Sequence, residues 1–123
     1  ARLGRPGPVA RALLKATKSV PMKGHCHCGA VQITVVAPPA EVVRCNCSRC
    51  RKTGWRGGYW HPDDVKIDAQ PDALNLYVQG DRTVTLWNCK TCGVPTHWTP
   101  RTAPPDRMGV NMRMFEADDW QHL

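Results

Sequence analysis

His25-Cys26-His27-Cys28-Gly29-Ala30-Val31-Gln32-Ile33-Thr34-Val35-Val36 is the stretch on which the fold turns. It opens with two cysteines two residues apart. On an extended chain such residues share a face, so both sulfurs can be aimed at one point. Gly29 follows directly and suits a tight knuckle in which a backbone N–H points at sulfur. Ala30–Val36 is then rich in β-branched residues and partly alternates, as a half-buried strand does. A metal-binding knuckle running into a strand is therefore the first expectation.

Further along the chain, the same chemistry recurs twice, as Cys45-Asn46-Cys47-Ser48-Arg49-Cys50 and as Cys89-Lys90-Thr91-Cys92-Gly93. Thiolates in short turns are the ligands zinc prefers, at about 2.3 Å in a tetrahedron. There are 7 cysteines, an odd number that would leave one thiol over in a pure disulfide framework. They divide most simply as four plus three. Two distant pairs, Cys26 with Cys28 and Cys89 with Cys92, would close a long loop around one ion and stabilise the fold. Cys45, Cys47 and Cys50 lie in one short span and would grip a second ion from one side. Closed four-ligand sites are structural, whereas three-ligand sites with an open position can be catalytic. A rival division adds a histidine (His25, His27, His61 or His97) as an eighth ligand, and disulfide pairing of six cysteines is a further alternative.

The 123 residues suggest one domain with a thin core. With 10 Gly, 11 Pro and 5 Trp, the composition suits a turn-rich, strand-rich or metal-stapled fold better than a helical bundle. Residues 1–21 read as a separate basic leader: flexible, with the natural start at Met22, or a short helix over Val9–Lys18. Its apolar run is broken by Arg11 and Lys15, so it resembles neither an export signal nor a membrane span. The expected location is cytoplasmic, a reducing compartment in which clustered cysteines read as metal ligands. The formal charge of +7 hints at nucleic acid, but Arg2, Arg5, Arg11, Lys15 and Lys18 place most of it in the leader. Seven thiolates and two Zn2+ would bring the remaining body to about −1. That argues against a phosphate-binding surface on the body while leaving one open to the leader.

Beyond the first strand, strands are expected at Glu41–Cys45, Trp55–His61, Val65–Asp68, Leu74–Val78, Thr83–Trp87, Pro95–Thr99 and Val110–Phe115. Gly80-Asp81 is a plausible turn, and Asp118–Leu123 a terminal one. No helix-period run exceeds the leader, and no phosphate-binding loop is present.

Taken in order, Gly24–Val31, Cys45–Arg51, Cys89–Gly93 and Val110-Asn111 resemble the glutathione-dependent formaldehyde-activating enzyme family, which also includes centromere protein V. The resemblance runs from about Lys23 to Phe115. It implies a mainly β, zinc-stabilised antiparallel fold of the β-tent, Mss4-like type, following an N-terminal extension. It implies that Cys26, Cys28, Cys89 and Cys92 hold a structural zinc, and that Cys45, Cys47 and Cys50 hold a more labile zinc at the active site. This chain has Asn88, with Trp87 behind it, where many relatives carry Phe before the third cysteine group.

The leading functional expectation is a carbon–sulfur lyase or synthase that joins a thiol, glutathione, to an aldehyde, formaldehyde. An ion with a vacant corner can bind a thiol as thiolate or polarise an aldehyde oxygen. Arg49, Arg51, Lys52 and Arg56 crowd the same segment and are candidates to pair with glutathione carboxylates, or plain solvated charges. Trp55, Tyr59 and Trp60 are candidates for lining a pocket or packing the sheet. His61 and His97 are candidate proton carriers, and Asn111 a candidate cross-sheet hydrogen-bonder. Two rival classes remain: a non-catalytic zinc-stabilised module binding nucleic acid or protein, and a zinc or redox sensor built on the three-cysteine group.

Overall fold

The computed structural model describes residues 21–80 and 82–123. The leader expectation therefore lies outside the described residues, apart from Pro21, and so does Asp81 of the expected turn. Gly80 beside it has φ 59°, and the Arg82 N–H reaches the Gln79 carbonyl at 2.9 Å, closing that turn.

Among the described residues, eight strands form two antiparallel sheets. The smaller contains β1 (Met22–His25), β2 (Val31–Val35) and β4 (Val65–Ala69), with β2 in the centre. The larger contains β3 (Gly57–Trp60), β5 (Leu74–Tyr77), β6 (Val84–Cys89), β7 (Pro95–Pro100) and β8 (Met108–Asn111), in the order β3-β8-β7-β6-β5. The fold is thus mainly β and antiparallel, with one short α-helix, α1 (Ser48–Thr53), and three single-turn 3-10 segments.

Alternation fixes which faces meet. Val31, Ile33 and Val35 point inward along β2, while Gln32 and Thr34 between them face outward. Met108 and Val110 of β8 come from the other sheet, and the Met112–Met114 turn with Phe115 fills the space between. Together with Met22, Trp60 and the two buried sulfurs of Cys26 and Cys89, these residues form one core. The Trp60 indole N–H donates to the Ala37 carbonyl at 3.0 Å, tying the larger sheet to the loop that leaves the smaller one.

Four elements differ from the sequence reading, the first being β1, for which no strand was expected. Glu41–Cys45 is not a full strand: Val43 alone bridges to Gly57. The expected Val110–Phe115 strand stops at Asn111, whose side-chain oxygen accepts from the Arg113 N–H at 3.1 Å and starts a 3-10 turn instead. The helix α1 was not expected. It is held by its ends: Cys47 Sγ accepts from the Cys50 N–H, and Gly54, at φ 76°, caps its C-terminus.

β1 exists because of what lies against it. A side chain at Gly24 would bring its Cβ to 2.5 Å from the Met114 carbonyl oxygen and 2.8 Å from the Phe115 ring. The backbone of the core-filling turn thus packs directly on the strand. Gly24→Ala should destabilise the protein by about 1–3 kcal/mol, read as a lowered denaturation midpoint. An unchanged midpoint would show that the turn does not press on β1.

Candidate metal centre and adjoining cavity

The first sulfur group joins the two sheets. Cys26 and Cys28 lie in the turn between β1 and β2, and Cys89 and Cys92 in the turn between β6 and β7. Each turn is a knuckle of the same design. The Cys26 N–H reaches the Val31 carbonyl at 3.0 Å, and the Cys89 N–H reaches the Val94 carbonyl at 2.9 Å. Gly29 (φ 84°) and Gly93 (φ 81°) turn the chain back in a backbone region that side chains disfavour. Backbone N–H groups then point at sulfur, from Val31 to Cys26 at 3.3 Å and from Cys92 to Cys89 at 3.4 Å.

The four sulfurs all lie within 4.8 Å of one another. Cys26 and Cys28 are 3.7 Å apart, and Cys28 and Cys89 are 3.6 Å apart. Neither pair is bonded, since a disulfide measures about 2.05 Å, and all seven cysteines are free. Ligands of a tetrahedral ion at about 2.3 Å from each sulfur sit about 3.8 Å apart along an edge. The group therefore fits one ion in size, geometry and donor type. Cys26 and Cys89 are buried, Cys92 is half-buried and only Cys28 is exposed. Burial works against ionisation of Cys92, but the N–H groups of Val94 and Cys28 outweigh it and lower this thiol to about 6. The turn thus favours the thiolate form that a metal takes.

The second group, Cys45, Cys47 and Cys50, also brings its sulfurs within 4.8 Å. It is built by α1, with Cys47 at the N-cap and Cys50 on the first turn. The Cys47 N–H points at the Cys45 sulfur at 3.5 Å, and the Cys50 N–H at the Cys47 sulfur at 3.4 Å. That backbone N–H, then the Cys50 thiol, lower Cys47 to about 7. Burial, then the neighbouring sulfurs of Cys47 and Cys45, push Cys50 up to about 12. With three donors and an exposed side at Cys47, this group can hold an ion and leave one corner free. Among the described residues, no histidine nitrogen joins either sulfur set.

Of the basic residues of this segment, Arg49, Arg51 and Lys52 line neither the cavity at Tyr59 nor the cleft that takes Arg56. Arg51 Nε donates to the Asn46 carbonyl at 3.2 Å, bracing the turn that carries the sulfurs. Arg49 lies over the Trp55 ring at 5.7 Å, and Lys52 is exposed on the last turn of α1. A cavity of about 680 Å³ lies instead beside Tyr59, Trp98 and Arg107, with His61 and Asp106 on its wall. The Arg107 guanidinium stands 4.1 Å from the Tyr59 ring centre, and the Tyr59 and Trp98 rings meet at 6.1 Å. Burial raises the Tyr59 phenol, opposed by Arg107 and reinforced by the charges of Cys45 and Cys50. Trp98 and Arg107 come from segments that show no motif. Of this wall, only Tyr59, Trp60 and His61 belong to a stretch legible as aromatic-rich in sequence.

The other candidates serve the framework. Asn111 Nδ2 donates to the Pro95 carbonyl at 2.7 Å, linking β8 to the start of β7. His61 Nδ1 accepts from the Asp63 N–H at 3.0 Å and starts a 3-10 turn, with its ring at the cavity edge. His97 is buried, bonded to Thr96 Oγ1 at 2.8 Å and stacked on Trp87 at 6.0 Å. Asn88 sits at a register shift between β6 and β7, and its amide donates to the Cys89 carbonyl at 3.2 Å.

These features define a class: an antiparallel two-sheet protein whose sheets meet at a four-cysteine knuckle site, with a second, more open three-cysteine site on a short helix. The chain belongs to the glutathione-dependent formaldehyde-activating enzyme family, whose model matches residues 21–122. A relative from Halomonas elongata, named "Putative glutathione-dependent formaldehyde-activating enzyme", is 39% identical over 74 residues. That match covers 59% of this chain and 43% of the relative, so the chain spans less than half of that protein's length. The crystal structure of a Rhodobacter sphaeroides protein superposes with a TM-score of 0.66 at 39% identity, covering 77% of this chain and 88% of that one.

Burial lowers His97 to about 4 from an ordinary value of 6.5. The folded state therefore resists protonation that the unfolded chain accepts. The resulting stability is present above pH 6.5 and drains away as pH falls toward 4. Between those values, wild type should lose up to about 1.4 kcal/mol per pH unit more than His97→Gln. Parallel stability–pH curves for the two proteins would remove His97 from the acid response.

Proposed function

We propose that this protein joins glutathione to formaldehyde as a zinc-dependent carbon–sulfur lyase of the cytoplasm. In this reading Cys26, Cys28, Cys89 and Cys92 hold a structural zinc. Cys45, Cys47 and Cys50 hold the working one. The observation that carries it is the sulfur group of Cys45, Cys47 and Cys50 itself, three converging donors with an exposed side that leaves a corner for a substrate. At about 680 Å³, the cavity falls within the range that small-molecule sites occupy.

The reaction forms one S–C bond. The thiol sulfur attacks the aldehyde carbon, the carbonyl π electrons move to oxygen, and the thiol proton ends on that oxygen; nothing is oxidised or reduced. A zinc ion held by the trio supplies acidity to a thiol and polarisation to a carbonyl. The remaining work falls to the chain. Arg107 pairs with a glutathione carboxylate at the cavity wall. Trp98 and the ring of Tyr59 cover the peptide backbone and exclude water. The Tyr59 hydroxyl, kept protonated by its burial, is a donor on the cavity wall for a developing alkoxide. Arg49, Arg51 and Lys52, with their contacts to Trp55, Asn46 and solvent, act by bracing the helix.

Adduct formation from glutathione and formaldehyde should exceed the spontaneous rate with zinc-loaded protein. Arg107→Ala should raise KM for glutathione about tenfold with kcat little changed. Absence of both acceleration and glutathione binding would refute the reaction.

The metal division is tested separately. Native mass spectrometry should find two zinc ions in wild type and one in a folded Cys47→Ser. Cys89→Ser should fail to fold, since a chelated structural site takes its folding free energy with it. A Cys47→Ser protein that unfolds instead would invert the assignment.

A further inference from the structure

A second cleft, of about 330 Å³, opens where Arg44, Arg56 and Arg113 converge with Trp120 and Gln121. The three arginines come from separate parts of the chain: the strand-like approach to Cys45, the entry to β3, and the turn after β8. They are drawn together by backbone bonds rather than by mutual attraction. Val43 and Gly57, the neighbours of Arg44 and Arg56, exchange both main-chain hydrogen bonds, at 2.8 and 2.9 Å. The Met112 N–H, next to Arg113, donates to the Arg56 carbonyl at 2.7 Å.

Among the described residues no acidic side chain lines this cleft, which Val42 and the last residue, Leu123, complete, and none of the three guanidinium groups forms an ion pair. Arg113 uses Nε on the Gly54 carbonyl, leaving its terminal nitrogens uncommitted. Partial burial, then the charges of Arg44 and Arg113, make the charged form of Arg56 less favourable. Three like charges held together without a counter-ion cost stability, and an oxyanion taken between them would relieve that repulsion. The aromatic wall of Trp120 narrows the cleft on one side, so the bound group is small or carries an apolar tail.

We propose that the Arg44–Arg56–Arg113 cleft is an anion-binding site for a doubly charged oxyanion, of the phosphate or phosphate-monoester class. Guanidinium forks match phosphate oxygens in pairs, and three of them exceed what one monocarboxylate can neutralise. The site is separate from the Tyr59 cavity and does not depend on the reaction assigned to the three-cysteine group.

The test is NMR titration of the zinc-loaded protein with inorganic phosphate at fixed ionic strength, following arginine Nε–H and tryptophan indole signals. The Arg56 and Trp120 signals should move saturably while Trp98 stays still. Arg56→Gln and Arg44→Gln should each weaken the apparent affinity about tenfold, with the remaining spectrum unchanged. Acetate in place of phosphate should leave the signals nearly unmoved. Non-saturating shifts, wild-type affinity retained in both variants, or acetate binding as tightly as phosphate would each overturn the proposal.

Discussion

The convergence of the Cys26–Cys28 and Cys89–Cys92 knuckles is the constraint on which the rest of the structure depends. The first closes the β1–β2 hairpin of the smaller sheet, and the second closes the β6–β7 hairpin of the larger one. Among the described residues no strand pairing connects the two sheets, so contact between them comes from the apolar core, from these sulfurs and from loop bonds such as Trp60 to Ala37. Cys26 and Cys89 are themselves buried members of that core. Four thiols this close, without disulfides, repel one another once ionised. Such an arrangement is stable when a cation neutralises them, so the geometry that closes the core also calls for a metal.

The two cysteine groups differ in what surrounds the sulfur. In the first, each knuckle brings one buried thiol and one more accessible one to the sheet junction, and every corner of a tetrahedron is supplied. In the second, a one-turn helix supplies the sulfurs from one side. That helix has little stability of its own, because six residues sit well below the length at which isolated helices persist. It is kept by the Cys47 cap, the Gly54 turn, and the Arg113 bond to the Gly54 carbonyl. A ligand set held by such local bonds can yield at Cys50 without loosening the sheets, as an open, exchangeable site requires.

Much of this was legible in the cysteine spacing, because ligand chemistry is local and leaves a mark in sequence. The grouping of the sulfurs in space matches the four-plus-three division. β2 was legible for a different reason: Val31, Ile33 and Val35 alternate cleanly over a buried face. β1 was hidden because Lys23 and Gly24 carry little strand preference, and the strand is imposed by Met114 and Phe115 packing against it from far along the chain. α1 was hidden because one turn is too short to show a period. The Glu41–Cys45 strand failed for want of a partner, with β3 pairing mainly to β8 and offering it Gly57 alone.

The cavity wall and the arginine cleft expose the limit of linear reading most clearly. Arg49, Arg51 and Lys52 drew attention because they stand beside the sulfurs in sequence. On a one-turn helix that adjacency sends them outward, to Trp55, to Asn46 and to solvent. Arg107 reaches Tyr59 from a proline-rich loop about fifty residues on, because β3 and β8 are sheet neighbours. Arg113 meets Arg56 through that same pairing, continued one step past the end of β8. One strand pair therefore presents a cationic side chain at each end: beside the aromatic cavity, and within the arginine cleft. The company of that cation differs between the two ends: a phenol and two indoles surround Arg107, whereas Arg113 stands with two further guanidiniums and one indole.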